Sequence, residues 1–138
     1  MKFTRRDTIL MAMGASAAAL LPIRANAAVE DAIAAFTGGA AVGDAGITLT
    51  APEIAENGNT VPVEVSAPGA VSIMLLAAGN PTPAVATFNF GPLAGAQAGS
   101  TRIRLAGTQN VIAIAKMADG SFVQAQQEVK VTIGGCGG

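Results

Sequence analysis

The residue best suited to chemistry is a thiol near the end of the chain. Cys136 is the only cysteine among 138 residues, and it stands in Gly134-Gly135-Cys136-Gly137-Gly138. Glycine has no Cβ and visits left- and right-handed backbone space about equally. Nothing around Cys136 can pack against it, so core packing does not account for it. The sequence contains no His, which removes every Ser-His-Asp or Cys-His pair the chain could form by itself. One Cys without His cannot build a zinc or haem site, and no cofactor motif is present. The sequence therefore predicts no metal, no cofactor and no catalytic residue acting alone. Cys136 is the one obvious nucleophile.

Its neighbours do nothing to activate it. Lys130 is the nearest cation in sequence, and no His or helix N-terminus stands close enough to lower the thiol pKa. The terminal carboxylate of Gly138 would raise it. A free Cys with a pKa of about 8.5 is only roughly 3% thiolate at pH 7. If the last strand ends near Ile133, the thiol lies three residues beyond it, about 10 Å at roughly 3.3–3.6 Å per residue. Flanked by glycines, it is expected to ride on a thin, flexible arm, residues 134–138, that enters a channel in another protein and withdraws. A chain that catalyses alone would hold its nucleophile by packing instead. The pattern is that of an attachment point on which other enzymes act.

The opposite terminus reads as an address. Thr4-Arg5-Arg6 precedes an apolar stretch from Ile9 to Leu21 that is rich in Ala. A helix needs roughly 20 apolar residues to cross a bilayer, and this stretch is shorter, so no membrane span is expected. Arg24 follows, and then Ala25-Asn26-Ala27, an Ala-x-Ala pattern that sets a cut between Ala27 and Ala28. Paired Arg5 and Arg6, a weakly hydrophobic centre and a basic residue before the cut resemble a twin-arginine (Tat) export signal more than a general-secretion one. The expected location is the bacterial periplasm. Removing residues 1–27 takes the balance from 8 basic against 9 acidic residues to 4 against 8. No basic cluster for nucleic acid exists outside the leader. One Cys closes no disulfide within the chain, so burial must hold the domain together. The Tat route carries folded cargo: either this domain folds too fast for the unfolded-chain route, or the chain leaves already bound to a partner.

The body, residues 28–133, must position the thiol. Val29, Ile33 and Phe36, with Glu30 and Asp31 early, predict one short amphipathic helix between Ala28 and Ala41 that Gly38-Gly39 ends. Turn signals then recur every eight to twelve residues. Strands are predicted around Ile47–Thr50, Val61–Ser66, Ala70–Ala78, Val85–Phe90, Thr101–Leu105, Gln109–Met117 and Phe122–Ile133. Pro62 lacks a donor and predicts an edge or bulged strand. Asp119-Gly120 predicts a two-residue hairpin. So many short strands argue for an all-β fold, an antiparallel β-sandwich of immunoglobulin-like type, with a small barrel as the other architecture.

Two strands are apolar on both parities: Val71-Ser72-Ile73-Met74-Leu75-Leu76 and Val111-Ile112-Ala113-Ile114-Ala115. A two-layer sandwich should show water one face of each sheet. Either the outer faces are tolerated or covered by the N-terminal helix, or they form a permanent subunit interface.

The terminal Val131-Thr132-Ile133-Gly134-Gly135-Cys136-Gly137-Gly138, with Thr4-Arg5-Arg6 and the all-β body, resembles the SoxY family. These are the covalent sulfur-carrier subunits of the bacterial thiosulfate-oxidising (Sox) system. The resemblance spans the whole chain, and its specific part is the last five residues. It implies an immunoglobulin-like fold and a heterodimer with SoxZ, a smaller β-sandwich protein without a signal of its own. It also implies a cycle on Cys136: a haem enzyme joins thiosulfate to the thiol, a thiohydrolase releases sulfate to leave a persulfide, and a sulfur dehydrogenase acts on the remaining sulfur before a second hydrolysis. The carrier catalyses none of these steps. Two other readings compete. One is an immunoglobulin-like structural or interaction module joined by an intermolecular disulfide through Cys136, and the other is a thiol enzyme acting alone.

Overall fold

The computed structural model describes residues 24–133. Arg5 and Arg6, and the arm residues Gly134, Gly135, Cys136, Gly137 and Gly138, lie outside the described residues. Helix α1 (Arg24–Thr37) leads into β1 (Val42–Gly43), β2 (Thr48–Thr50), β3 (Ile54–Ala55), β4 (Val61–Ser66), β5 (Ala70–Ala77), β6 (Ala84–Asn89), β7 (Ala98–Ile103), β8 (Gln109–Met117) and β9 (Phe122–Val131). One sheet runs β1-β9-β8-β5-β6, with β3 added alongside β9, and the other runs β2-β4-β7. This is the immunoglobulin-like sandwich with one N-terminal helix that the turn spacing predicts.

Alternation builds the core between the sheets. Val61, Val63 and Val65 of β4 face Ile73 and Leu75 of β5, Val111 and Ala113 of β8 and Val129 of β9, all buried in one cluster. Each fully buried Val, Leu or Ile contributes about 1.5–3 kcal/mol. Pro62 and Glu64 take the exposed parity of β4.

Pro62 does not put β4 at an edge, because β4 lies between β2 and β7. The reason it is accepted is local. β2 pairs with β4 only at Ser66, Val65 and Glu64, whereas β7 pairs along the full strand. At Pro62 the β2 side is already open, so the missing N–H costs the ladder nothing there. The gap is a groove of about 590 Å³ whose lining includes Thr50, Pro52, Pro62 and Arg102.

The faces of β5 and β8 that point away from this core are covered from within the chain. Met74 and Leu76 of β5, Ile112 and Ile114 of β8 and Phe122 of β9 form a second cluster with Val29, and Ala32, Ile33 and Phe36 of α1 pack against it. The Phe36 and Phe122 rings meet edge to face, 5.8 Å between centroids. Of the readings the two-sided apolar pattern left open, helix cover is the one the structure has. Those strands give no support to a subunit interface on this face.

The helix starts at Arg24, ahead of the expected Ala28, so the Ala27–Ala28 bond lies inside it. It stops at Thr37 because Gly38 and Gly39 take φ of 66° and 85°, a region that residues with a Cβ avoid. The Gly38 N–H still reaches Ala34 O at 2.8 Å, and Thr37 Oγ1 donates to Ile33 O at 2.9 Å. At the far hairpin only Gly120 has positive φ. A two-residue type I′ turn needs positive φ at both central residues. The β8–β9 connection is therefore longer than predicted, with Gly120 N–H bonded to Met117 O and Met117 N–H to Ser121 O. No helix among the described residues is long and apolar enough to cross a membrane.

Candidate functional site

The described part of the candidate site is the end of β9, the stretch that leads to Cys136. β9 pairs with β8 over its length, from Lys116↔Phe122 to Gln109↔Val129. Its other edge is taken twice by earlier segments running parallel to it. β1 meets its start at Val42↔Phe122, and β3 meets its end at Ile54↔Lys130 and Ala55↔Val131. Strands of two residues leave no periodic signal, and the sequence did not reveal either of them.

Beyond β9 the backbone stays bonded up to the last described residue. Lys130 N–H donates to Glu53 O at 2.9 Å and Thr132 N–H to Ala55 O at 3.1 Å. Gly58 N–H donates to Ile133 O at 3.0 Å. On the opposite edge Val131 N–H reaches Thr108 Oγ1 at 3.0 Å, and Thr132 Oγ1 donates to Glu56 O at 3.3 Å. Further back, Gln127 Nε2 donates to Ala51 O at 2.6 Å. Residues 127–133 are thus tied to two separate segments of the chain, residues 51–58 on one edge and Thr108 on the other.

The loops at this end of the sandwich are fixed by a buried amide. Gln109 Oε1 accepts from Gly79 N–H at 2.8 Å, while its Nε2 donates to Asn80 Oδ1 and Gly107 O, both at 3.0 Å. Asn80 Nδ2 donates to Arg104 O at 2.7 Å, and Asn80 Oδ1 also accepts from Ala106 N–H. Gln109, only 8% exposed, therefore links the β5–β6 turn to the β7–β8 loop with its polar atoms satisfied. In the sequence Asn80 lies between the strands predicted over Ala70–Ala78 and Val85–Phe90, where Pro81 and Pro83 signal only a break. A Gln on the buried parity of a strand was the signal that something there must accept and donate.

Among the described residues no group of Asp, Glu or Cys gathers to hold a metal. Lys130, the cation nearest Cys136 in sequence, is exposed and lines a groove of about 400 Å³ with Glu53, Ile54, Gln127 and Glu128.

With this geometry in place, comparison with known proteins is informative. Residues 33–136 match the family of the sulfur oxidation protein SoxY. The chain belongs to the SoxY family. The match takes in every strand and runs through Cys136, and membership gives the chain a part in sulfur oxidation. The sulfur carrier protein SoxY from Chlorobium limicola f. thiosulfatophilum is 39% identical, with 78% of this chain and 98% of that one covered at a TM-score of 0.67. A superoxide reductase (neelaredoxin) from Ignicoccus hospitalis aligns over 62% of this chain and 78% of its own, at 21% identity and a TM-score of 0.54. At that identity the likeness is one of fold alone. No curated protein sequence matches the chain.

Proposed function

We propose that this SoxY-family chain is a non-catalytic covalent sulfur carrier in periplasmic thiosulfate oxidation, with Cys136 as the attachment point. The observation that carries the reading is the conjunction of a family match that includes Cys136 with a strand end held firmly three residues before it. A fixed root gives a short arm a defined origin, and the glycines let the thiol enter narrow active sites.

The proposed cycle balances on that one sulfur. Oxidation joins the terminal sulfur of thiosulfate to Cys136, forming an S–S bond and releasing the thiol proton and two electrons, which a haem enzyme accepts. The product is a cysteine S-thiosulfonate. Water then cleaves the bond to the sulfone sulfur, releasing sulfate and leaving a persulfide. A sulfur dehydrogenase then takes six electrons from the sulfane sulfur while three water molecules supply its oxygens and seven protons are released. This leaves a cysteine S-sulfonate, and a second hydrolysis releases sulfate and returns the thiol. Covalent attachment holds each intermediate at high effective concentration for the next docked enzyme. A SoxZ-like subunit completes the working heterodimer, and the Arg5-Arg6 leader delivers the folded pair by the Tat route, with cleavage between Ala27 and Ala28.

Intact-mass analysis of the protein from thiosulfate-grown cells tests the reading. Adducts on the C-terminal peptide that a reductant removes are expected. A Cys136 that is always free, in a strain where Cys136→Ser still oxidises thiosulfate, would overturn it. Replacing Gly134 or Gly135 by Val should leave the fold unchanged and slow transfer, because a β-branched side chain widens and stiffens the arm. Transfer at the wild-type rate would remove the flexible-arm argument.

A further inference from the structure

The root of the arm carries apolar surface that the sandwich does not use. β9 keeps Val129 and Val131 on its core-facing parity and ends at Val131, and cover runs out toward Ile133, two residues on. Val129 is fully buried, Val131 half-buried and Ile133 66% exposed. On the neighbouring strand Ile54 is 59% exposed. Because Ile54 pairs with Lys130 in parallel register, it projects on the side of the ladder opposite to Val129 and Val131. Ile54 and Ile133 thus both stand exposed at the strand end, immediately before residue 134.

Reach decides what this surface meets. Cys136 is three residues past Ile133, which limits the thiol to about 10 Å from it. The root cannot follow a retreating partner, since residues 130–133 are hydrogen-bonded to residues 53–58. Any active site that takes the thiol must bring its own mouth down onto the strand end. Exposed Glu53, Glu56 and Glu128 lie about this place beside exposed Lys130, and exposed Arg104 precedes Leu105, whose N–H donates to Gly58 O, so carboxylates still outnumber cations here. The cargo is anionic, so an enzyme that binds it carries positive charge at its mouth, and an acidic collar complements that charge.

We propose that Ile54 and Ile133, within the acidic collar of Glu53, Glu56 and Glu128, form the docking surface for the enzymes that process sulfur on Cys136. The partner is an enzyme with an apolar lip and cationic side chains around a channel about 10 Å deep. The surface is small, as befits a complex that must release its carrier after each step. This inference rests on the carrier reading above.

The test uses the full chain, with its partner subunit, loaded with thiosulfate and presented to the sulfate-releasing hydrolase. For Ile54→Ser combined with Ile133→Ser, the expected result is a KM raised about tenfold or more with kcat within about twofold, since a few buried apolar anchors dominate such interfaces. Reaction of Cys136 with a small aromatic disulfide should stay at the wild-type rate. In wild type, KM should rise with salt. An unchanged KM in the double variant overturns the proposal. So does loss of the heterodimer, or of a dimer of this chain, on size exclusion, because the surface would then be a subunit interface. Failure of the carrier reading looks different: no adduct would form on wild-type Cys136 at all.

Discussion

The outer face of β5 and β8 and the root of the arm both carry apolar side chains that the inter-sheet core leaves unused. At the first, Met74, Leu76, Ile112 and Ile114 lie under α1 and are buried. At the second, Ile54 and Ile133 face solvent beside acidic groups, on a backbone fixed by hydrogen bonds. The same chemical excess thus serves stability in one place and stays available in the other. What separates them is whether a segment of the same chain reaches across. The helix is joined to the sheet it covers, while among the described residues no helix lies across Ile54 and Ile133.

Substitutions at these two places, and at positions beside and far from them, would break or sharpen this contrast. Leu76→Ala, under the helix and fully buried, should cost about 2–5 kcal/mol by urea denaturation. Ile54→Ser with Ile133→Ser should together change stability by less than about 1 kcal/mol. Comparable losses at the two places would mean that the arm root is ordinary core. Next, Gln109→Leu removes the acceptor for Gly79 N–H and the donor to Asn80 Oδ1 and Gly107 O at the arm end, three bonds whose loss should cost about 1–3 kcal/mol. Amide exchange should quicken at Gly79 and Ala106 while α1 stays protected.

Smaller still, Thr108→Ala deletes the acceptor for Val131 N–H. Exchange of that single amide should accelerate, with global stability lowered by about 1 kcal/mol or less. Smallest of all is the turn far from both regions. Asp119 accepts from Ser121 Oγ at 2.6 Å and from Ser121 N–H at 2.9 Å, and these bonds hold its carboxyl below the ordinary value of 3.8. The folded chain binds that proton less tightly than the unfolded one, so the contribution is present above pH 3.8 and is lost as pH falls through the folded value. The Tm gap between wild type and Asp119→Ala should be small at neutral pH and shrink in acid.

Most of the fold was legible because alternation is a local signal. Val61, Val63 and Val65 announce β4, and the β8 boundaries read from Gln109 to Met117 are those observed. Pro62 misled because a strand can be central along most of its length and open at one residue, which depends on where its neighbour stops. The two-sided apolar runs of β5 and β8 told that something covers them but not what, since helix and foreign subunit bury a side chain equally well. At the arm the thiol was plain from its glycines. Its anchorage was not, because β1 and β3 are two residues long and their partner is about 80 residues away.

The double flanking of β9 has a mechanical consequence. A pull on the residues that follow Ile133 loads the chain along the axis of β9. The bonds to β8, β1 and β3 run across that axis, so they resist together in shear rather than opening one at a time as in a peeled hairpin. Force applied there is thereby spread over both sides of one ten-residue strand, and the end of the sandwich can be loaded without being peeled open.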